Sequence, residues 1–231
     1  GSSASAHEEV GCREGLSCPV PAMMVQPLLE NQDIEASRAG TYGTWAVAGV
    51  YTGVGAVLVG TYVWGMVTLN EQYPDGGPMK GGAMKLWGHL TDPENAWLLK
   101  IYFASIGLAA VGFLPALAYA LYIASELPRS LVNKICGSLA CFFVTGFFWM
   151  PMCVAYIASP SSALYVTLRF QLAVSGISGL CWAYFSVFAV PHEVAKTANT
   201  ALRWASKAGI CIFAAHCAVL DAVVWPPFFH Q

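Results

Sequence analysis

The chain has 231 residues, of which 57% are hydrophobic and 10% charged, and a formal net charge of −2. A typical soluble domain carries about 25% charged residues, so an ordinary water-soluble fold is excluded. With no basic patch to neutralise phosphates, a nucleic-acid partner is excluded as well.

The chain opens on Gly1 with "GSSASAHEEV", which has neither the basic nor the apolar region of a signal peptide. The start is expected to be a processing site or a cloning scar, any targeting segment having been removed. Residues 1–44 form a polar, acidic arm with little core of its own. Such an arm is expected to be ordered through partner proteins, because a terminus without anchoring contacts frays.

Residues 45–231 are expected to form one all-α polytopic membrane bundle. Apolar stretches run over about 45–69, 97–124, 131–158, 163–190 and 204–225. Each is near or above the roughly 20 residues that cross a hydrocarbon core. In lipid they must be helices, since no backbone group can go unpaired. The count is five, or four if the fourth stretch, with Arg169, Gln171, Ser175, Ser178 and Ser186, does not cross. "YPDGGPMKGG" reads as a loop, and "TDPEN" as a cap and early proline before the second span. Residues 192–203 read as an interfacial start to the fifth helix.

Five spans place Arg38, Arg129, Lys134, Lys196, Arg203 and Lys207 on one side, against Lys80, Lys85, Lys100 and Arg169 on the other. The positive-inside rule then puts the N-terminus on the cytosolic, stromal or matrix side and the C-terminus opposite. Trp45, Trp64, Trp97, Trp204 and Trp225 lie near span ends, where amphipathic rings favour the headgroup zone.

The eight cysteines show no zinc or iron–sulfur spacing. Six lie in the spans and read as packing residues, while Cys12 and Cys18 could close a small loop in an oxidising compartment. Gly49 and Gly53, and Ser175 and Gly179, are small residues four apart. They read as helix-packing faces, as does Gly209, because lipid offers no hydrophobic drive for association. Pro115 and Pro151 interrupt spans two and three, as kinks or hinges.

Charged groups in the spans cost several kcal/mol unless partnered, roughly 2.5–3.5 or more at a helix centre. Counting from Lys207 at about 1.5 Å per residue places His216 about 13–14 Å deep and Asp221 about 21 Å deep. Arg169, about 10 Å in from Ser162, shares the depth of Asp221. A structural ion pair of Asp221 with Arg169 is therefore expected, with Lys100 as the second choice. On an α-helix Asp221 falls about 140° around from His216, so the two are not expected to meet. His216 is expected to be neutral and hydrogen-bonded to a serine, tyrosine or carbonyl of the next helix. Axial ligation of a haem or chlorophyll by its imidazole is the alternative.

No phosphate loop, H-E-x-x-H or G-x-S-x-G motif occurs, so no residue set supports an enzyme. The expected function is a non-catalytic accessory subunit of a larger organellar energy-transducing complex, respiratory or photosynthetic, with the mitochondrial inner membrane favoured. Its partners are other membrane subunits and bound lipids, and no cofactor is required. A small ion or solute transporter or channel is the alternative, and a pigment- or haem-carrying subunit using His216 a further one.

Overall fold

A computed structural model describes residues 40–74 and 81–229. The arm up to residue 39, Cys12 and Cys18, and most of the glycine-rich loop lie outside the described residues. Five helices are long and apolar enough to cross a membrane: α1 (Gly40–Gln72), α2 (Pro93–Ile123), α3 (Arg129–Ala158), α4 (Ser162–Phe188) and α6 (Thr200–Phe229). A short helix, α5 (His192–Thr197), precedes the last of them. The described part of the protein is an all-helical integral membrane bundle with the expected five spans.

The first span begins at Gly40, inside the stretch expected to belong to the arm. Residues 192–203 do not form one continuous start to the last span. The chain is extended at Ala198, and the Asn199 side chain accepts from the Ala201 N–H at 2.7 Å, capping a new helix. A short side-chain amide competes well for the free N–H groups of a helix start, which is why the helix breaks there. At "TDPEN" the cap expected of Asp92 is absent, because its carboxylate instead meets His89 Nδ1 at 2.9 Å.

α4 shows how a polar stretch can still cross. Gln171, Ser175 and Ser178 are buried and face protein rather than lipid. Gln171 Nε2 donates to the Thr145 carbonyl, and Ser178 Oγ donates to Cys141 Sγ at 3.1 Å and to its own helix at Val174 O. Half of the most apolar part of α4 is buried, the largest share among the spans. Polar groups inside a membrane bundle are tolerated where a neighbouring helix satisfies them.

The helices pack mainly as α2 on α6, α3 on α4, α1 on α3, and α4 on the C-terminal half of α6. Two apolar clusters fill the interior. One gathers Tyr51, Leu139, Trp182 and Ile210 toward the N-terminal half of α1. The other gathers Leu69, Tyr102, Met150 and Phe229 toward its C-terminal half. Pro115 and Pro151 lie within helices that continue through them.

A 3₁₀ segment, Gly82–Thr91, closes the second end. Gly88 takes φ 46° there, and a Cβ on it would run into the backbone of Phe228 and Phe229. Trp225, expected at the headgroup zone, is buried instead. Its indole N–H donates to the Leu86 carbonyl at 2.9 Å, tying the 3₁₀ segment to the end of α6. A tryptophan can be buried when its N–H finds a partner. Trp45, Trp64, Trp97 and Trp204 are exposed, Trp45 most of all at 73%.

Candidate functional site

α2 and α6 run antiparallel and approach most closely at Gly112 and Gly209. A Cβ added to Gly112 would lie 2.6 Å from Gly209 Cα, and one added to Gly209 would collide with the Gly112 backbone. Only hydrogen fits on both, so the backbones touch, as small residues permit in membrane helices. Seven residues from that crossing along each helix, the pair brings Ser105 opposite His216. The close approach matters here, because a serine side chain is short. His216 Nδ1 lies 2.9 Å from Ser105 Oγ, which meets the hydrogen bond expected of it.

His216 also begins a π-helical stretch, His216–Val224, that continues α6. Its hydrogen bonds run from i to i+5, which brings residue i+5 almost over residue i. On an α-helix, residues five apart stand about 140° from each other. The π turn removes most of that angle. His216 Nε2 accordingly lies 3.5 Å from Asp221 Oδ1. The expectation that these two residues do not meet is corrected by this change of helix type.

Tyr102 of α2 completes the cluster. Its hydroxyl donates to Asp221 Oδ1 at 2.6 Å, and its ring meets the imidazole of His216 edge-on at 5.4 Å between centroids. Trp87 of the 3₁₀ segment also packs edge-on against Tyr102. The His216 side chain is 8% exposed and the Asp221 side chain 34%, so the histidine lies inside and the carboxylate reaches toward the bundle surface.

The ion pair expected of Asp221 with Arg169 or Lys100 is not made. Among the described residues Asp221 is within ion-pair distance of His216 alone. Arg169 and Lys100 are both exposed, and the Arg169 guanidinium lies 5.9 Å from the ring centre of Tyr165 on its own helix. Matched depth places two residues in one leaflet but leaves the angle open, and Arg169 follows the buried Leu168 by one residue. It therefore points out of the bundle.

The small-residue faces divide. Gly179 sits against Phe142, Phe213 and Cys217, and Ser175 is buried. Gly49 and Gly53 meet nothing, since no described atom lies within 4 Å of where a Cβ would stand. The packing expected of them is not made within the described chain, because α1 turns the opposite face inward, through Gly43, Val47 and Tyr51.

Ser105, His216 and Asp221 have the residue types of a hydrolase triad, but the surroundings lack its second half. Ser105 lies in the middle of α2, where backbone N–H groups are spent on helix bonds. Acyl transfer needs free donors aimed at a developing oxyanion. Both imidazole nitrogens are directed at protein partners, so axial ligation would have to break one of these contacts. No group of three or more metal-ligating side chains gathers among the described residues.

Tyr102 and Ser105 were not among the residues expected at the site. The available signal was their register: Tyr102, Ser105, Ala109 and Gly112 follow one another by three, four and three residues, a helix-pairing stripe. Fold and cluster together define an integral membrane helix bundle with a Tyr–Asp–His–Ser chain, buried at Tyr102 and His216, between two of its spans. Comparison with known proteins gives no match among protein-family models, curated proteins or solved structures.

Proposed function

We propose that this protein is a non-catalytic accessory subunit of a larger membrane assembly, of the energy-transducing type found in organelles. The observation that carries the reading is the bare face of α1. Only 11% of its most apolar stretch is buried, against 33% to 50% in the other spans. Gly49, Gly53 and Gly60 lie on it with nothing beside them, and Ala56 is exposed with them. Small residues on a membrane helix favour close approach of another helix, and a partner subunit would supply it.

The organellar setting, with the inner mitochondrial membrane favoured over the thylakoid, rests on the low charge density. The orientation follows the basic residues Arg129, Lys134, Lys196, Arg203 and Lys207, which face the matrix, stroma or cytosol together with the N-terminus. Extraction from its native membrane in mild detergent, followed by identification of the co-purifying chains, tests the proposal. A defined set of membrane subunits is expected. A folded monomer, free of other chains, would overturn it.

The transporter alternative draws support from one observation, the Asp221–His216 contact at membrane depth. Ionisable residues inside a membrane bundle mark ion or proton sites by default.

A further inference from the structure

We propose that Asp221 and His216 form an intramembrane proton-binding site, in which one proton is shared between the carboxylate and the imidazole. The inference stands apart from the accessory-subunit reading and holds whether or not partner chains are present.

Charge accounting is the starting point. A lone ionised carboxylate in apolar surroundings is neutralised or paired. Arg169 and Lys100 are turned outward, leaving His216 as the one described basic side chain at ion-pair distance. Tyr102 gives Asp221 a hydrogen bond but no positive charge. With one proton between them the two residues are neutral as a unit, whichever atom carries it. Without that proton the unit is an anion, and with a second it is a cation. Both charged forms are costly at this depth, so the singly protonated unit is the resting form.

The geometry supplies the rest. In one arrangement the proton sits on Asp221 Oδ1 and faces the lone pair of His216 Nε2. In the other Nε2 holds it, and an imidazolium faces a carboxylate. Nδ1–H donates to Ser105 Oγ in both, so Ser105 positions the ring without changing partner. Tyr102 donates to Asp221 Oδ1 at 2.6 Å, within the range of about 2.5–3.0 Å for O–H···O bonds, and holds the carboxyl in place. The Nε2–Oδ1 distance of 3.5 Å exceeds an ordinary hydrogen bond, so transfer requires the π turn to close by a few tenths of an ångström. π turns recur at functional sites in helices.

The other groups facing the pair complete the picture. Tyr62 of α1 and Cys217 of α6 are within electrostatic reach of Asp221, and Cys153 of α3 neighbours Tyr62. α4 presents Gly176 to Ala218 and Ala222 and, nearer the end of α6, Tyr165, whose hydroxyl donates to the Pro226 carbonyl. A metal cation fits this surrounding poorly, because hard cations require several oxygen ligands and an imidazole occupies one side of the carboxylate.

The experiment is infrared difference spectroscopy on the full chain in lipid nanodiscs, stepped in pH, with carbon-13 label on aspartate. Of the four aspartates, Asp221 alone falls within a described span, so a slowly exchanging aspartate signal is read as its own. A pH-dependent carboxyl signal is expected, lost in Asp221→Asn, together with an imidazole signal lost in His216→Gln. The deciding result is cross-dependence: His216→Gln displaces the Asp221 signal, and Tyr102→Phe displaces it while both residues remain. An Asp221 signal that does not respond to pH, or one indifferent to His216→Gln, would overturn the proposal. The label on the unaltered chain keeps the first criterion readable even if a variant fails to fold. Replacing sodium by potassium must leave the signal unmoved, and a sodium-dependent shift would also overturn it.

Discussion

His216 Nε2 stands 3.5 Å from Asp221 Oδ1, an approach that an α-helical turn would deny to residues five apart. The π turn that creates the contact also carries Asp221 toward Tyr102 on α2. Two weak sequence signals, a histidine and an aspartate on one span, thereby become one polar cluster between two helices.

The cluster depends on the Gly112–Gly209 crossing. Gly209→Val places a branched side chain into the Gly112 backbone, so α2 and α6 must separate. Overpacking of this kind costs about 1–3 kcal/mol or more. Thermal unfolding in detergent should show a clear drop in melting temperature. A variant as stable as the native chain would mean that the helices do not touch there.

Arg169 should be dispensable in the isolated chain. Removing one partner of a buried ion pair costs about 3–5 kcal/mol, whereas an outward-facing arginine leaves no orphaned charge. Arg169→Gln should therefore leave the melting temperature unchanged. A large loss would restore the Asp221–Arg169 pairing that matched depth suggested.

Trp225 pins the 3₁₀ segment through its bond to the Leu86 carbonyl. Trp225→Phe keeps an aromatic ring against Phe229 and Trp149 but removes the donor. An unsatisfied buried acceptor costs about 1–3 kcal/mol. Amide hydrogen exchange across 82–91 should accelerate while the spans remain protected. Uniform exchange throughout would show that the bond does not hold this segment.

The bare face of α1 separates folding from assembly. A Cβ at Gly49 or Gly53 has no described atom within 4 Å, and leucine has a better helix propensity than glycine, by up to about 1 kcal/mol. The isolated chain should be as stable or slightly more so, while co-purification of partner subunits should fall. Unchanged recovery of partners with both leucines present would move the docking face away from α1.

Composition and apolar run length determined the membrane class and the five spans, because only helices of about 20 apolar residues satisfy the backbone in lipid. Depth along a helix was equally legible, since the rise per residue is nearly constant. It put His216 deep in the last span, where a hydrogen bond to a neighbouring helix is expected of it.

The angle around a helix was not fixed by sequence in the same way. Arg169 and Asp221 shared a leaflet yet face apart, and His216 and Asp221 seemed opposed yet meet. Helix type and helix neighbour set that angle, and both come from packing: the π turn at His216–Val224, the contact of Gly112 with Gly209, and the burial of Trp225 against Leu86. The last two are contacts between segments more than 90 residues apart, which no local periodicity encodes. The sequence by itself determined which residues lie at membrane depth. The tertiary structure alone decided which of them share a proton's reach, because that depends on how two antiparallel helices are rotated against each other.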